Sequence, residues 1–459
     1  MSSTDDAMSG PRPDNGHRGA RGSVVVARAG GRGRTPSRLA WFAILGAVIL
    51  VAGAAAVSLS GPLLDRAVVG APAQPAATLD AAAVPAGAPA TTGEASAPAE
   101  AEIEGVTRLG LLGPQSLLDT RASAPLGAGT EASVPLPALP AGATAVLVEV
   151  SLQDAAGPGA VTVGSGDVTL PVLRLAGPGA QTSATAVVPV PPSATLTVRT
   201  EGGGHLVLTL VGAFEPAASA TAGRVVPLPA TRVVDLAPEV DGNVATVDLA
   251  TVPALADAAP GAVMLQFSAD VGVRGGSVKA GPSPDDLPQE VLWGATSGDD
   301  RVRGGFLVVP VSDAGTVTVE YRAGTQIRVD LVGYVTSDAA PESADGLVVP
   351  LPAPAALPPV AVAPPDGVDA VVVPEGVGVP AGRVRGVLVG VTAQATAEGG
   401  VSVHSAADPP AVAPTVSVSP AGPRSVLTLS GVGGGTVRLT SDTAAELALV
   451  PQAYVVSAG

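Results

Sequence analysis

The sequence predicts an all-β fold, with three tandem antiparallel β-sandwich domains preceded by a single transmembrane helix and a disordered Ala/Pro-rich linker. Segments of alternating apolar and polar residues recur along the C-terminal three quarters of the chain at intervals of 120 and 121 residues. Glycine and proline, 58 and 46 of the 459 residues, interrupt these segments and disfavour long helices. One uncharged apolar run, at residues 39–59, stands apart from this pattern.

The first 38 residues are predicted to form a disordered cytoplasmic tail. They carry seven arginines and three aspartates, which is a net charge of +4, and they show no helical pattern. Because positively charged flanks stay on the cytoplasmic side of a membrane, this tail orients the segment that follows it.

Residues 39–59 are predicted to form a transmembrane helix, with the lipid bilayer as its partner. The run of 21 residues carries no charge, and a helix of about 20 residues spans a hydrocarbon core of about 30 Å. Trp41 lies near the inner interface, where aromatic residues are favoured. The predicted location is the cell membrane, crossed once, with the C-terminal region extracytoplasmic. A cleaved signal peptide with a small-residue site at residues 54–56 is the alternative interpretation, and a buried helix is a weaker one.

Residues 60–104 are rich in alanine, proline, threonine and glycine, and neither alternation nor helical spacing appears in them. Such a composition favours a semi-extended spacer, with up to about 3.1 Å per residue where it is polyproline-like. We interpret the segment as an extracytoplasmic linker, either a stalk through the cell wall or a disordered connection.

Three β-sandwiches are predicted at residues 105–217, 218–338 and 339–459. The repeat is clearest in pairs of strands near the end of each unit, at residues 195–200 and 206–212, 316–321 and 327–333, and 436–440 and 447–450. Alternate residues of these strands are apolar, so one face of each is predicted to be buried. Short loops of glycine or polar residues separate the two strands of each pair and predict β-hairpins. Pro189 and Pro310 predict either strands at sheet edges or the ends of strands.

The joins between the three units are rich in alanine, serine and proline. They lie near residues 216–222 and 337–346. If the units are separate domains, these joins are expected to be the sites where a protease cuts first.

Short motifs at the ends of the units resemble a known family. The first unit carries Leu-Asp-Thr-Arg at residues 118–121 and closes on Leu-Val-Gly-Ala-Phe at residues 210–214, and the second closes on Asp-Leu-Val-Gly-Tyr at residues 330–334. Over about residues 110–455 the chain resembles the β-rich repeat modules of actinobacterial cell-surface and secreted proteins. The resemblance implies surface display and β-sandwich modules, and it implies no catalytic residues. In the second unit the opening motif has become Arg-Val-Val-Asp-Leu at residues 232–236, and the third unit lacks it.

The composition excludes several classes of site. The chain has no cysteine, which rules out disulfides, thiolate metal sites and cysteine nucleophiles. Beyond the N-terminal tail it holds 17 basic and 37 acidic residues, and an acidic region is a poor binder of nucleic acid. We therefore expect no nucleic-acid partner, and no motif indicates a cofactor or a metal site.

The histidines do not suggest catalysis. His205 and His404 are predicted to lie at polar surface positions, because other polar residues stand at the matching places of the other units. No serine-hydrolase elbow and no phosphate-binding glycine loop occurs in the sequence. No catalytic residue is therefore predicted.

The second unit carries the only residues that suggest a ligand. Asp285, Asp286, Asp299 and Asp300 are loop carboxylates that calcium could use, although their spacing is not that of a calcium loop. Trp293, between the two pairs, is a candidate platform for stacking a sugar, although a core position is favoured for it. These five residues form the predicted ligand-contact region.

We expect the protein to be a non-enzymatic, single-pass membrane-anchored extracytoplasmic protein whose three β-sandwiches have a structural or interaction role in the cell envelope. The alternative is a binding module for envelope glycopolymers that assists cell-wall glycosyltransfer or export, and a wall hydrolase is less favoured. The expected partners are cell-wall polysaccharide or envelope proteins.

Overall fold

The computed structural model describes residues 103–236, 243–271, 275–293, 302–322, 326–373, 378–409 and 414–457. These residues belong to one compact unit, which spans residues 94–459. They form β-strands and three short 3-10 helices, with no α-helix among them, so the predicted all-β class is confirmed for this part of the chain.

The predicted tail, membrane span and linker at residues 1–38, 39–59 and 60–104 lie outside the described residues, except that the linker's last two positions are included. Within the part of the chain that is described, no helix has the length and apolar character needed to cross a membrane.

We name the three units repeats 1, 2 and 3. The strands of repeat 1 are β1 Thr107–Asp119, β2 Thr130–Pro135, β3 Ala145–Gln153, β4 Gly159–Ser165, β5 Val168–Leu175, β6 Thr182–Pro189, β7 Thr195–Thr200 and β8 His205–Pro216. Those of repeat 2 are β9 Val225–Leu236, β10 Asn243–Asp248, β11 Pro260–Asp270, β12 Gly276–Gly281, β13 Gln289–Trp293, β14 Val302–Pro310, β15 Thr316–Arg322 and β16 Gln326–Thr336. Those of repeat 3 are β17 Val348–Pro350, β18 Val360–Val362, β19 Val368–Val371, β20 Val384–Ala395, β21 Gly399–His404, β22 Val416–Val418, β23 Arg424–Gly431, β24 Thr436–Ser441 and β25 Ala445–Val456. The 3-10 helices are Leu249–Thr251, Pro253–Leu255 and Ala381–Arg383.

Each repeat contains two antiparallel sheets with the same strand order. The inner sheets run β6-β3-β8-β1, β14-β11-β16-β9 and β23-β20-β25-β17, and the outer sheets run β5-β4-β7-β2, β13-β12-β15-β10 and β22-β21-β24-β19. In repeats 1 and 2 the two sheets enclose a core of their own, as in a β-sandwich. Thr107 of β1 pairs with Val348 of β17, which joins the inner sheets of repeats 1 and 3 into one nine-stranded sheet that also includes β18.

The alternation in the sequence identified the buried strand faces correctly. All the apolar residues that alternate in the repeated strand pairs are at most 1% exposed. They are Leu196, Val198, Leu206, Leu208 and Leu210 in repeat 1, Val317, Val319, Tyr321, Ile327, Val329 and Leu331 in repeat 2, and Val437, Leu439, Leu447 and Leu449 in repeat 3. These side chains fill the space between the two sheets because every second residue of a strand points to the same face.

The predicted hairpins are wrong. Strand β7 pairs with β2 and β4 in the outer sheet, whereas β8 pairs with β1 and β3 in the inner sheet, and the same holds in repeats 2 and 3. The loop after β7 therefore crosses from one layer to the other, and Gly203 and Gly204 have positive φ angles of 67° and 133° there. Alternation shows that two strands each bury one face, but it does not show whether they share a sheet.

The three repeats close into a ring through their edge strands. Strand β6 contacts β13 and β14, β14 contacts β22 and β23, and β23 contacts β5 and β6. The prediction from Pro189 and Pro310 is confirmed in both of its forms, since β6 and β14 each end an inner sheet and each proline is the last residue of its strand. Because β6, β14 and β23 each lie against the next repeat, these edges of the inner sheets are covered rather than exposed to other chains.

A β-bulge at the same place in each inner sheet sets the equivalence between repeats. It follows Leu147 in β3, Met264 in β11 and Leu388 in β20. These three buried side chains belong to a shared apolar cluster that all three repeats build. The ring is therefore held together by a common core as well as by its edges.

The joins between repeats are not free segments. The carbonyls of Gly223 and Gly346 each accept a 2.7 Å hydrogen bond, from Leu109 and Val225 respectively. Both glycines have positive φ, 84° and 86°, and a Cβ on either would lie 2.8 Å from a carbonyl oxygen. Arg224 is 7% exposed and its guanidinium donates to carbonyls of the second join. We therefore expect the joins to resist proteases, contrary to the expectation from composition.

Candidate ligand site

A cavity of about 300 Å³ opens where the three repeats meet. The loop between β5 and β6 lines it from repeat 1, the ends of β13 and β14 from repeat 2, and the loop between β22 and β23 from repeat 3. A neighbouring cavity of about 430 Å³ shares Arg424 but mixes arginines with the carboxylates of Glu398 and Asp442. Among the described residues that line the first cavity there is no carboxylate.

The residues at the beginning of β6, β14 and β23, which border this cavity, occupy equivalent positions in the three repeats. Strand pairing places Thr182 opposite Leu152, Arg303 opposite Ala269, and Arg424 opposite Ala393, at the same distance from the bulge in each inner sheet. The first residues of β6 and β23 and the second residue of β14 therefore converge. Two of these three positions hold arginine.

The guanidinium groups of Arg303 and Arg424 share one acceptor. Nη1 of Arg424 donates to the carbonyl oxygen of Val302 at 2.7 Å, and Nη1 of Arg303 donates to the same oxygen at 3.0 Å. Ser417 Oγ also donates to this oxygen, at 2.7 Å, and Arg424 further donates to Ser417 and Ser419. Because both Nη1 atoms lie within hydrogen-bond distance of the same oxygen, the two guanidinium cations lie side by side.

A third arginine enters the cavity from repeat 1. Arg174, near the end of β5, is half-buried, and its Nε is fully buried with no hydrogen-bond partner among the described residues. An unsatisfied buried donor costs about 1–3 kcal/mol, and more when it is charged. The cavity therefore holds a donor that the described residues do not satisfy.

Trp293 is a core residue, as favoured from the sequence, and it also borders the cavity. Its side chain is 2% exposed and packs in the core of repeat 2. Its Nε1 donates to the carbonyl oxygen of Gly304 at 3.3 Å. It therefore offers the cavity one edge of an apolar wall and no exposed ring face on which a sugar could stack.

The predicted aspartates are not brought to this cavity by any described contact. Asp285 and Asp286 are exposed in the turn between β12 and β13, where the backbone of Asp286 donates to the carbonyl of Ser283. Asp299 and Asp300 lie outside the described residues. No group of three or more His, Asp or Glu side chains that could hold a metal ion occurs in the described ranges.

The two histidines have different environments. His205 is half-buried, and its Nδ1 lies 2.8 Å from the carbonyl oxygen of Thr120. His404 is 8% exposed, so its predicted surface position is wrong. Its strand, β21, lies in the outer sheet, and the neighbouring repeat covers it at the junction that includes Gln266 and Asp330. Polar residues at the matching positions of the other repeats do not reveal that a neighbouring repeat buries this side chain.

A smaller cavity, of about 110 Å³, lies at the junction of repeats 1 and 2 and is lined by Arg121, Glu149 and Glu290. Glu149 is 6% exposed. Its burial, and secondarily the charge of Glu290, raises the pKa of its carboxyl from 4.5 to about 8, against the lowering effect of a hydrogen bond from the Glu290 backbone. At neutral pH the side chain is therefore largely protonated.

Glu149 has a structural counterpart in repeat 2. The bulge register makes Gln266 its equivalent, and Gln266 Nε2 donates to the carbonyls of Gly305 at 2.8 Å and Thr415 at 2.9 Å. In repeat 3 the equivalent is Gly390. Because the same position in repeat 2 holds a neutral side chain that binds the next repeat, we assign Glu149 to the junction rather than to catalysis.

Sequence reasoning missed Arg174, Arg303, Arg424 and Glu149. The arginines lie far apart in sequence and meet only because the ring closes. Glu149 alternates with valines in β3 as an ordinary surface residue would. The other residues on that strand face gave no clear signal, because Ala145 and Leu147 are apolar whereas Ser151 and Gln153 are polar.

No family model and no curated protein matches the chain. Solved structures with a detectable likeness include the one described as the atomic structure of Sulfolobus Turreted Icosahedral Virus. The match covers 76% of this chain and 89% of that chain, at 10% sequence identity and a TM-score of 0.16. A TM-score this low does not indicate a shared fold, and the resemblance to actinobacterial repeat modules stays a prediction.

Proposed function

We propose that the chain is a non-enzymatic, single-pass membrane protein that holds one three-repeat β-body outside the cell, as a structural and interaction element of the envelope. The observation that carries the proposal is the closure of the repeats into a ring with a shared apolar cluster. The supporting sequence features are the uncharged run at residues 39–59 and the Ala/Pro-rich spacer that follows it.

Ring closure changes the surface that the protein would present to a partner. Three flexibly linked sandwiches would present three separate surfaces, whereas a closed ring presents one rigid surface at the end of one tether. Surfaces built by two or three repeats together, such as the cavity of about 300 Å³, then become the places where a partner is recognised.

Labelling of single cysteines tests the orientation, because the natural chain has none. Ser9→Cys marks the tail, and Asp167→Cys marks the exposed turn between β4 and β5. A membrane-impermeant maleimide should label Asp167→Cys on intact cells and Ser9→Cys only after lysis. Labelling of Asp167→Cys only after lysis would overturn the proposal, and loss of the Ser9→Cys tag from the mature protein would show a cleaved signal peptide instead.

A second candidate function is the binding of an envelope glycopolymer. The cavity favours it, because hydrogen-bond donors from three repeats surround an opening with an apolar edge from Trp293. Retention of the purified protein by cell-wall polysaccharide tests this function. Trp293→Ala is a poor variant for the purpose, since it would remove a core side chain, and Arg174→Gln is the better choice because Arg174 is only half-buried and has no described partner.

A further inference from the structure

The junction of repeats 1 and 2 places two carboxyl groups from different repeats beside one cavity of about 110 Å³. Glu149 comes from β3, in the middle of the inner sheet of repeat 1, and Glu290 comes from β13, at the edge of the outer sheet of repeat 2. The charge of Glu290 acts on the carboxyl of Glu149, and the backbone of Glu290 donates a hydrogen bond to it. The two repeats therefore meet across a pair of like titratable groups.

The neighbours of Glu149 within repeat 1 do not offset a negative charge on it. In strand register they are Thr185 of β6 and Thr209 of β8, which are both neutral. Arg121 lines the same cavity, but its guanidinium donates to both carboxylate oxygens of Asp119. The charge of Arg121 is therefore matched by a carboxylate of its own repeat.

The charged groups of the surroundings are likewise committed elsewhere. Lys279 of β12 lies opposite both Glu290 on β13 and Glu320 on β15, so its one positive charge stands beside two carboxylates. His205, at the beginning of β8, has its Nδ1 2.8 Å from the carbonyl oxygen of Thr120. In the part of the chain that is described, no basic side chain lowers the pKa of the buried carboxyl in β3.

The state of this carboxyl is linked to closure of the junction. Burial, and secondarily the charge of Glu290, raises the pKa of Glu149 to about 8 in the closed ring, from an ordinary value of 4.5. Separation of the two repeats would return the carboxyl to water, where it releases its proton at that lower pKa. The open form therefore gains about ten-fold over the closed form per pH unit from pH 4.5 to 8, and the gain levels off above pH 8.

The other two junctions are bridged by neutral amides. Gln266 of repeat 2 donates to the carbonyl of Thr415 in repeat 3 at 2.9 Å. Gln452 of repeat 3 accepts a 2.7 Å hydrogen bond from a backbone N–H of β6 in repeat 1. The carboxylate of Asp330, at the junction of repeats 2 and 3, is paired with Arg232. Neither amide bridge depends on a carboxyl that must hold a proton.

We propose that the junction of repeats 1 and 2 is a proton-gated joint, which opens when Glu149 loses its proton while the other two junctions stay closed. Opening converts the ring into an arc, in which the pairing of β1 with β17 still joins repeats 1 and 3. A surface that repeats 1 and 2 build together is then present in acid and is lost in alkaline solution. The inference concerns the ring itself and depends neither on membrane anchoring nor on a ligand.

Thiol accessibility tests the inference, because the natural chain has no cysteine. Ser151→Cys reports on the first junction, since Ser151 is 7% exposed and lines its cavity. Ser268→Cys is the matched control, because the bulge register makes Ser268 the equivalent residue of β11, and it is 5% exposed. The purified full chain in detergent is treated with 4,4′-dithiodipyridine at pH 6, 7 and 8. Each rate is divided by the rate of the same variant unfolded in urea, which removes the pH dependence of the thiol itself.

We expect the corrected rate of Ser151→Cys to rise about ten-fold per pH unit and to exceed that of Ser268→Cys by at least about ten-fold at pH 8. Unfolding of the whole chain would expose both cysteines at the same corrected rate, so equal rates would overturn the inference. A corrected rate of Ser151→Cys that does not change with pH would also overturn it.

A second substitution assigns the gate to one carboxyl. Glu149→Gln in the Ser151→Cys background should remove the rise with pH, and a rise that persists would overturn the role of Glu149. Circular dichroism establishes that each variant is folded. Amide hydrogen exchange of the natural chain over β13 and β22, the outer-sheet edges at the two junctions, makes the same comparison without any substitution. Equal protection of the two strands at pH 8 would contradict opening at one junction alone.

Discussion

Two junctions between repeats, that of repeats 1 and 2 and that of repeats 2 and 3, differ in the side chain at one equivalent position. Glu149 occupies it in the first junction and Gln266 in the second, each in the central strand β3 or β11 of an inner sheet. Both side chains are buried, at 6% and 3% exposure. Gln266 donates two hydrogen bonds to backbone carbonyls at its junction, whereas Glu149 faces a second carboxylate, that of Glu290.

The difference shows that ring closure tolerates a titratable group at an interior joint. A neutral amide makes its hydrogen bonds at every pH, while a buried carboxyl must hold a proton to remain neutral. The junction of repeats 1 and 2 is therefore expected to be the pH-sensitive one, and exchanging the two side chains tests that expectation.

The largest effect is expected from Gln266→Glu. The carboxyl cannot replace two N–H donors, so the carbonyl of Gly305 or Thr415 loses its partner, and above neutral pH a buried charge results. We expect the free energy of unfolding to fall by about 3–5 kcal/mol at pH 8 and by less at pH 5. Urea denaturation measures this change. Gln394→Glu, the same change at an exposed end of β20, is the control, and equal losses in the two variants would contradict the comparison.

The reverse exchange, Glu149→Gln, is expected to stabilise the protein in alkaline solution. The folded pKa of Glu149, about 8, lies above the unfolded value of 4.5, so the native state keeps a proton that the unfolded state releases. The contribution of Glu149 to stability is therefore fully present below pH 4.5 and is lost between pH 4.5 and 8, by about 1.4 kcal/mol per pH unit. Glu149→Gln should remove this loss. Urea denaturation from pH 4.5 to 8 should show a stability difference that grows with pH, and a constant difference would contradict the assignment.

A smaller effect is expected from a hydrogen bond that only the first junction has. Thr185 Oγ1 donates to the carbonyl oxygen of Phe306 at 2.8 Å, and Phe306 itself occupies the equivalent position in the second junction. Thr185→Val keeps the shape and removes the donor, which should cost about 1–2 kcal/mol. Thermal denaturation measures the loss, and Thr246→Val, at a half-buried hydroxyl pair within repeat 2, is a comparison away from the junction. A loss no larger than that of Thr246→Val would show that the bond does not support the ring.

The features of the fold that could be predicted from the sequence are those that depend on residues close together in the chain. The buried faces of β7, β8, β15, β16, β24 and β25 were predictable, because a strand alternates locally with a period of two. Edge positions for β6 and β14 followed from Pro189 and Pro310, since proline cannot donate to a neighbouring strand. These features depend on a few consecutive residues.

Features that depend on ring closure were not predictable. The strands expected to be hairpins lie in different sheets, and the joins near Gly223 and Gly346 are hydrogen-bonded to other repeats rather than open. The same holds for the candidate site, because Arg174, Arg303 and Arg424 come from three repeats and no local pattern links them. An alignment of the repeats would have shown that Glu149 and Gln266 occupy equivalent positions, but only once the position of the β-bulge was known.

The smallest effect, and the most specific test of the first junction, is expected from Glu290→Gln. Burial is the main cause of the raised pKa of Glu149, and the charge of Glu290 is the second. Removing that charge leaves the burial intact, so the pKa of Glu149 should fall only slightly and the pH-dependent loss of stability should end at a lower pH. We expect a gain of under about 1 kcal/mol at pH 8. Glu131→Gln, at an exposed position of β2, should leave the profile unchanged. In the Glu149→Gln background the Glu290 substitution should have no pH-dependent effect, since the group it acts on is absent, and a persistent effect there would show that Glu290 acts on stability by itself and that the two carboxyls do not form a coupled pair.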